Sequence, residues 1–187
     1  MTRSDLEENS EEILNECKKQ NVAILVQGDP LVFTTHNSLI AEAQRLVIET
    51  KVVHNSSVFS AIAETGLHMY KFGPSVTIPF PEKTKGSLPN SIYETIKQNK
   101  SRGLHTLCLL DIVDGRCMSV SEAVEILDKF DSGNIIDKVI AIGKLGGNAK
   151  LVYVNLEKLN NIKIDAPAVI IIPGKLHFTE KEFLNSY

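Results

Sequence analysis

Residues Val22-Ala23-Ile24-Leu25-Val26-Gln27-Gly28-Asp29-Pro30 set an unbroken apolar run of strand length directly against a turn. Five consecutive apolar residues suit a strand buried on both faces, as in a parallel sheet, and Gly-Asp-Pro then stops it. On either side the hydrophobic period changes. Upstream, Leu6, Ile13, Leu14 and Cys17 line one face of a helix running to about residue 20, opened by the capping box Ser4-Asp5-Leu6-Glu7. Downstream, Thr34-Thr35 leads into a helix over about 37–46 and a second strand over 50–54. Asn55-Ser56-Ser57 then caps a helix that continues over 58–63. Strand, polar turn and helix occur twice in succession, which points to βαβ construction.

Gly73-Pro74 reads as a hinge and divides residues 1–73 from 74–187. Beyond it the pattern gives a short strand over 76–79 and a Pro-, Lys- and Gly-rich loop over 81–89. A helix opened by Ser91-Ile92-Tyr93-Glu94 follows, and then a buried strand over 104–112. Ser119-Val120-Ser121-Glu122 caps a helix to about Phe130, and the strand over 139–142 breaks at Gly143, Gly146 and Gly147. A last strand over 169–172 stops at Pro173-Gly174, and Thr179-Glu180-Lys181-Glu182 opens the final helix. The expected architecture is α/β in two lobes.

The 187 residues allow one large domain or two small lobes. A chain of that size buries about 70% of its unfolded surface and needs no disulfide or metal staple. Twenty basic against 23 acidic residues leave a net charge of -3, without the basic excess that phosphate neutralisation demands, so no nucleic-acid partner is expected. Three cysteines without a Cys-x-x-Cys pair point to a reducing compartment. The acidic, polar opening is unlike a signal peptide. The longest apolar run, over 166–173, falls far short of the roughly 20 residues of a membrane span. A cytoplasmic protein is expected, with no membrane partner.

In open α/β sheets, ligands bind beyond the carboxyl ends of strands. Asp29, on its turn, suits an ammonium group or a pair of ribose hydroxyls, although spacing alone favours a plain turn, since Gly28, Asp29 and Pro30 are all turn formers. Ser56 and Ser57 read as N-caps or as the edge of an anion site. The five histidines, His36, His54, His68, His105 and His177, show no metal-ligand spacing, so no metal is expected. No Gly-x-Ser-x-Gly elbow, Walker loop or Gly-x-Gly-x-x-Gly is present, which weighs against hydrolase, nucleotide-phosphatase and nicotinamide-oxidoreductase readings. Cys108 reads as core and Cys117 as a loop residue without a nucleophile's partners. No residue stands out as a general base, and the catalytic residues stay unassigned.

Five strings, in order, resemble the signature of the diphthine synthases. They are Val26-Gln27-Gly28-Asp29-Pro30-Leu31-Val32-Phe33-Thr34-Thr35-His36, Val53-His54-Asn55-Ser56-Ser57, Gly66-Leu67-His68-Met69-Tyr70-Lys71-Phe72-Gly73, Gly103-Leu104-His105-Thr106-Leu107-Cys108-Leu109-Leu110-Asp111-Ile112 and Pro173-Gly174-Lys175-Leu176-His177. The resemblance runs over essentially the whole chain and looks more like the archaeal than the eukaryotic branch. It implies a two-lobed tetrapyrrole-methylase-like α/β fold, with S-adenosylmethionine as cofactor in the cleft between lobes, S-adenosylhomocysteine as product, and a homodimer. The implied reaction is methyl transfer to the amino group of the modified histidine of translation elongation factor 2, a step of diphthamide synthesis.

Carried over by position, the implied cofactor contacts are Asp29, Val32, Ser57, Val58, Leu110, Leu145 and His177. At Leu145 the chain reads Gly143-Lys144-Leu145-Gly146-Gly147 where the family shows an Ala-Arg-Ala-Gly-like string, and Val47 stands where relatives have Gly. Members of the family open with a strand and a Gly-Leu-Gly-Leu-like turn before the equivalent of Thr2-Arg3-Ser4-Asp5. Judged against them, the first lobe is expected to be truncated, with unpaired strand edges that favour self-association. A non-catalytic cofactor- or partner-binding module of the same fold is the alternative reading. A tetrapyrrole or RNA substrate ranks below both.

Overall fold

The computed structural model of the chain describes residues 6, 10–84, 86 and 88–187. The expected Ser4-Asp5-Leu6-Glu7 box lies outside the described residues. The chain divides into two compact units, Met1–Ala61 and Ile62–Tyr187.

In the first unit, helix α1 (Ser10–Cys17) buries Ile13 and Leu14 while Glu11 and Glu12 occupy its first turn, where the helix dipole favours negative charge. Helix α2 (Asn37–Arg45) buries Ala43 and ends in a Schellman arrangement. The Ile48 N–H donates to Ala43 O at 2.9 Å and the Val47 N–H to Gln44 O at 3.1 Å. Val47 closes that cap at φ +58°, the left-handed conformation that glycine adopts without strain. Helix α3 (Val58–Ala61) is a single turn.

The two expected strands of this unit need correction. Residues 21–26 and 50–57 run without helix or ladder, and Leu25 and Val53 are 94% and 74% exposed. An apolar run becomes a strand only when a neighbour accepts and donates its backbone hydrogen bonds. Among the described residues no strand lies along either segment. Together with α1 and α2 they wall a largely apolar hollow of about 570 Å³.

The second unit is built on a five-stranded sheet. Its strands are β1 (Val76–Ile78), β2 (Thr106–Leu110), β5 (Lys138–Gly143), β6 (Lys150–Asn155) and β7 (Ala168–Ile172), in the spatial order β1-β2-β7-β5-β6. A small separate ribbon pairs β3 (Ile112–Val113) with β4 (Arg116–Cys117). Only β1 and β2 run parallel, with Val76 opposite Cys108. The other pairings are antiparallel, with Thr106 opposite Ile172, Ile140 opposite Ile171 and Ile140 opposite Tyr153. The α/β class holds, but the sheet is mixed rather than built of repeated βαβ units.

Helix α4 (Asn90–Ser101) starts one residue before the expected position. Its N-cap is Pro89, and no side-chain hydrogen bond caps it, so the Ser91–Glu94 box does not form. Helix α5 (Val120–Phe130) does carry its box, closed by Ser119 and Glu122, and buries Val120, Ala123, Val124 and Leu127 at the spacing of one helical face. Helix α6 (Leu156–Leu159) follows β6, and helix α7 (Phe178–Leu184) ends the chain. The core lies between these helices and the sheet, around Ile78, Ile96, Cys108, Leu127, Ala141 and Ile170. Burial pushes the Cys108 thiol up to about 12, which suits a packing role.

The expected division at Gly73 falls inside the second unit. The Gly73 N–H donates to His105 O at 2.9 Å and the His105 N–H to Lys71 O at 2.8 Å, so residues 71–73 run alongside the start of β2. Cys117, expected in a loop, belongs to β4. Among the described residues no helix is long and apolar enough to cross a membrane.

Candidate functional site

Gly28 turns at φ +74°, and a Cβ there would stand 3.2 Å from Ser56 O. The turn therefore packs closely on the segment before α3. Asp29, its side chain 6% exposed, accepts from the Leu31 N–H at 2.9 Å through Oδ1. Its Oδ2 accepts from His54 Nδ1 at 2.8 Å and from the Asn55 N–H at 3.3 Å. The Leu31 N–H, then the His54 ring and the Asn55 N–H, hold the Asp29 carboxyl below the usual range, against a smaller opposing effect of burial. Asp29 is thus an anion that binds the first motif to the second.

Val32 and Phe33 lie exposed just beyond this turn, and Phe33 meets Phe59 edge-on at 6.0 Å. The His36 Nδ1–H donates to Pro30 O at 2.8 Å and steadies the turn from the other side. Ser57 is a cap: its Oγ accepts from the Ser60 N–H at 3.4 Å, and its own N–H donates to Ser60 Oγ at 3.1 Å. The Ser56 N–H is taken by Asn55 Oδ1 at 2.8 Å. These bonds favour simple capping over an anion site. Val58, half-buried, begins α3. Asp29, Val32, Ser57 and Val58 therefore belong to one locality, joined through Asp29, His54 and Asn55.

Three expected contacts lie in the second unit. Leu110 ends β2, and Leu145 sits half-buried in the turn after β5. β2 and β5 both pair antiparallel with β7, so they run the same way and Leu110 and Leu145 leave the sheet at one end. β7 runs the opposite way, so the segment leading to His177 leaves at the other end, beside Thr106. In a mixed sheet the carboxyl ends fall on both edges, so the rule for parallel sheets does not select one edge.

Asp111, next to Leu110, is turned inward. It accepts from the Phe80 N–H at 3.0 Å, the Ile112 N–H at 2.9 Å and Lys83 Nζ at 2.9 Å. Burial pushes its carboxyl up, but these donors, Lys83 first, hold it below the usual range.

His177 is the N-cap of α7, two residues before the expected box. Glu180 completes the cap, accepting from the His177 N–H at 2.6 Å. The sequence marks Glu180 only as a helix opener, yet it is fully buried and gathers four donors. Besides His177, they are the His68 N–H at 2.8 Å, His105 Nε2 at 3.0 Å and Lys71 Nζ. The Gly174 N–H donates to His105 Nδ1 at 3.0 Å, so the His105 proton must sit on Nε2 and point at Glu180. Burial pushes the Glu180 carboxyl up, but the hydrogen bonds led by Lys71 outweigh it and bring the group to about 2. Burial lowers His105, with Glu180 opposing. Above this node His68 lies 5.3 Å from both the Tyr70 and His177 rings, and His177 lies 4.3 Å from Phe178. No spacing rule links positions 68, 71, 105 and 180, so only the fold could reveal the node.

Comparison with known proteins shows the family. The family model for Tetrapyrrole (Corrin/Porphyrin) Methylases matches residues 2–160. The diphthine synthase of Methanocaldococcus jannaschii is 38% identical over 98% of this chain and 76% of its own length. That of Methanococcus aeolicus is 37% identical over 98% and 75%. Among solved structures, a diphthine synthase matches with a TM-score of 0.89 at 34% identity, covering all of this chain and 73% of its own. A putative diphthine synthase from Entamoeba histolytica matches at 0.82 and 29% identity over 94% and 74%.

Proposed function

The chain belongs to the diphthine synthases of the tetrapyrrole methylase family, S-adenosylmethionine-dependent methyltransferases of diphthamide synthesis, and from that premise we propose its acceptor and its cofactor contacts. The acceptor is the amino group of the aminocarboxypropyl chain on the modified histidine of elongation factor 2. The contacts are Asp29, Val32, Ser57 and Val58 in the first unit, and Leu110, Leu145 and His177 in the second.

The observation that carries this reading is the Asp29 carboxylate. It is anionic, rigidly held by three donors, and joins the two motifs that supply four of the seven contacts. A carboxylate has about four lone-pair sites, so among the described residues one stays open for an ammonium or hydroxyl donor, and these residues fit the cofactor's cationic and hydroxyl groups. Once bound, S-adenosylmethionine supplies a methyl group already activated on sulfonium. The protein's part is then to align an amine with that methyl group and to keep water out, effects worth up to about 7–11 kcal/mol when geometry is well fixed.

The reading includes a homodimer acting in the cytoplasm. The test is transfer of labelled methyl to elongation factor 2 that carries the unmethylated aminocarboxypropyl histidine. Label in the diphthine position supports the acceptor, and label elsewhere or none refutes it. Light scattering checks the dimer.

A further inference from the structure

Resting on methyl transfer to an amine, we infer that His54 is the base that takes the proton from the acceptor's ammonium group. An ammonium nitrogen has no free electron pair, so it must lose a proton before it can attack a methyl carbon. Imidazole is the side-chain base best matched to neutral pH.

The geometry selects His54 among the described groups of its unit. Its Nδ1 lies 2.8 Å from Asp29 Oδ2, and an ionised carboxylate can only accept, so Nδ1 carries the ring proton. In the neutral ring the lone pair therefore resides on Nε2. No described residue bonds Nε2, and the side chain is 68% exposed. The Asp29 carboxylate orients the ring and stabilises the imidazolium that forms, as an Asp–His pair does in acyl-transfer sites.

His36 lacks this support. Its Nδ1 faces the Pro30 carbonyl at 2.8 Å, which orients a ring but adds no negative charge. Glu49 and Lys51 are the other charged groups lining the same hollow, and neither bonds His54. The Ser57–Ser60 cap, which follows on the chain, carries no ionisable group.

The step balances. An N–H bond of the ammonium breaks and its proton goes to His54 Nε2. The freed pair on nitrogen forms a bond to the methyl carbon, and the carbon–sulfur pair stays on sulfur as the sulfonium becomes a thioether. The imidazolium then returns its proton to solvent, which its exposure allows.

The test compares the full chain with His54→Gln and His54→Ala, each checked by thermal melt. Single-turnover methyl transfer to elongation factor 2 bearing the unmethylated chain is followed from pH 6 to 10, beside calorimetry of S-adenosylhomocysteine binding. At pH 7 and with the methyl donor saturating, His54→Gln is expected to transfer about 10²- to 10⁴-fold more slowly. Because His54 also holds Asp29, calorimetry measures the accompanying weakening of product binding, and saturation keeps it out of the rate. The deficit shrinks about tenfold per pH unit as the neutral amine fraction rises by itself, a rescue that a purely structural defect does not give.

A readout independent of turnover is the ¹⁵N spectrum of His54 in the free protein, where Nε2 is expected bare in the neutral ring. Transfer by His54→Gln within about threefold of the unmodified chain at pH 7, or a neutral ring protonated on Nε2, overturns the inference and leaves the methyltransferase reading intact. If the unmodified chain binds product but methylates no amine, the acceptor assignment falls, and this inference with it.

Discussion

His105 Nε2 lies 3.0 Å from Glu180 Oε1, and neither side chain is reached by solvent. Seventy-five residues separate the two in the chain, and Lys71 and the His68 and His177 amides share the same carboxylate. The pair ties the third, fourth and fifth motifs to one buried point. Glu180→Ala leaves those donors buried without an acceptor and is expected to cost about 3–5 kcal/mol, the usual penalty for breaking a buried charge pair. Thermal or urea unfolding reads the loss. A shift under about 1 kcal/mol would mean that water replaces the carboxylate at no cost.

The same node sets the acid response. Glu180 is lowered to about 2 in the folded protein, so its contribution is full above its unfolded value near 4.5 and lost as pH falls toward 2. His105 is also lowered, and its neutral folded form loses ground once the unfolded ring begins to protonate below about pH 6.5. Both effects have one sign. Stability of the second unit is expected to be flat above pH 7, to slope downward below about 6.5, and to fall steeply below about 4.5. Urea midpoints between pH 3 and 8 check this, and stability rising on acidification would contradict it.

Val47 holds a left-handed conformation with a β-branched side chain, 92% exposed. L-residues pay roughly 1–2 kcal/mol there. Val47→Gly keeps both Schellman hydrogen bonds and is expected to stabilise the first unit by about 1 kcal/mol, part of the relief being offset by glycine's chain entropy. The measurement is the melting temperature, and a decrease would show that Val47 contributes packing that outweighs the strain.

Gly174 is a steric requirement of another kind. A Cβ there would lie 2.4 Å from Leu104 O and 2.5 Å from the Gly103 carbonyl, all backbone atoms that cannot swing aside. Gly174→Ala is expected to push the strand ends apart, weaken the Gly174 N–H bond to His105 Nδ1, and cost about 1–3 kcal/mol. A chemical-denaturation midpoint tests it, and no change would mean the two crossing segments separate freely.

Local signals were readable in advance where the physics is local. The Ser119–Glu122 box, the apolar face of α5 and the cap at Ser57 need only neighbouring residues. Apolar runs over 22–26 and 50–54 declare a tendency to be buried and extended, but not whether a strand lies alongside. The hairpin from β5 to β6 goes unread because the glycines at 143, 146 and 147 read only as the end of a strand, and the apolar run Leu151-Val152-Tyr153-Val154 of β6 is short and half-buried at the sheet edge. The tetrapyrrole-methylase class was legible because five motifs kept their order. The pairing of Asp29 with His54 and the gathering of His68, Lys71 and His105 around Glu180 were not, since residues 25 to over 100 positions apart meet only in the folded chain.

The central claim is that the Asp29 locality binds the methyl donor's product form. Calorimetry of S-adenosylhomocysteine with this chain, and with Asp29→Ala as control, tests it most directly. The account predicts binding to the unmodified chain, weakened about tenfold or more in the variant through loss of a charge-assisted hydrogen bond worth roughly 1.5–3 kcal/mol. Binding of equal strength in both proteins would remove Asp29 from the site, and no binding to the unmodified chain would contradict the account itself.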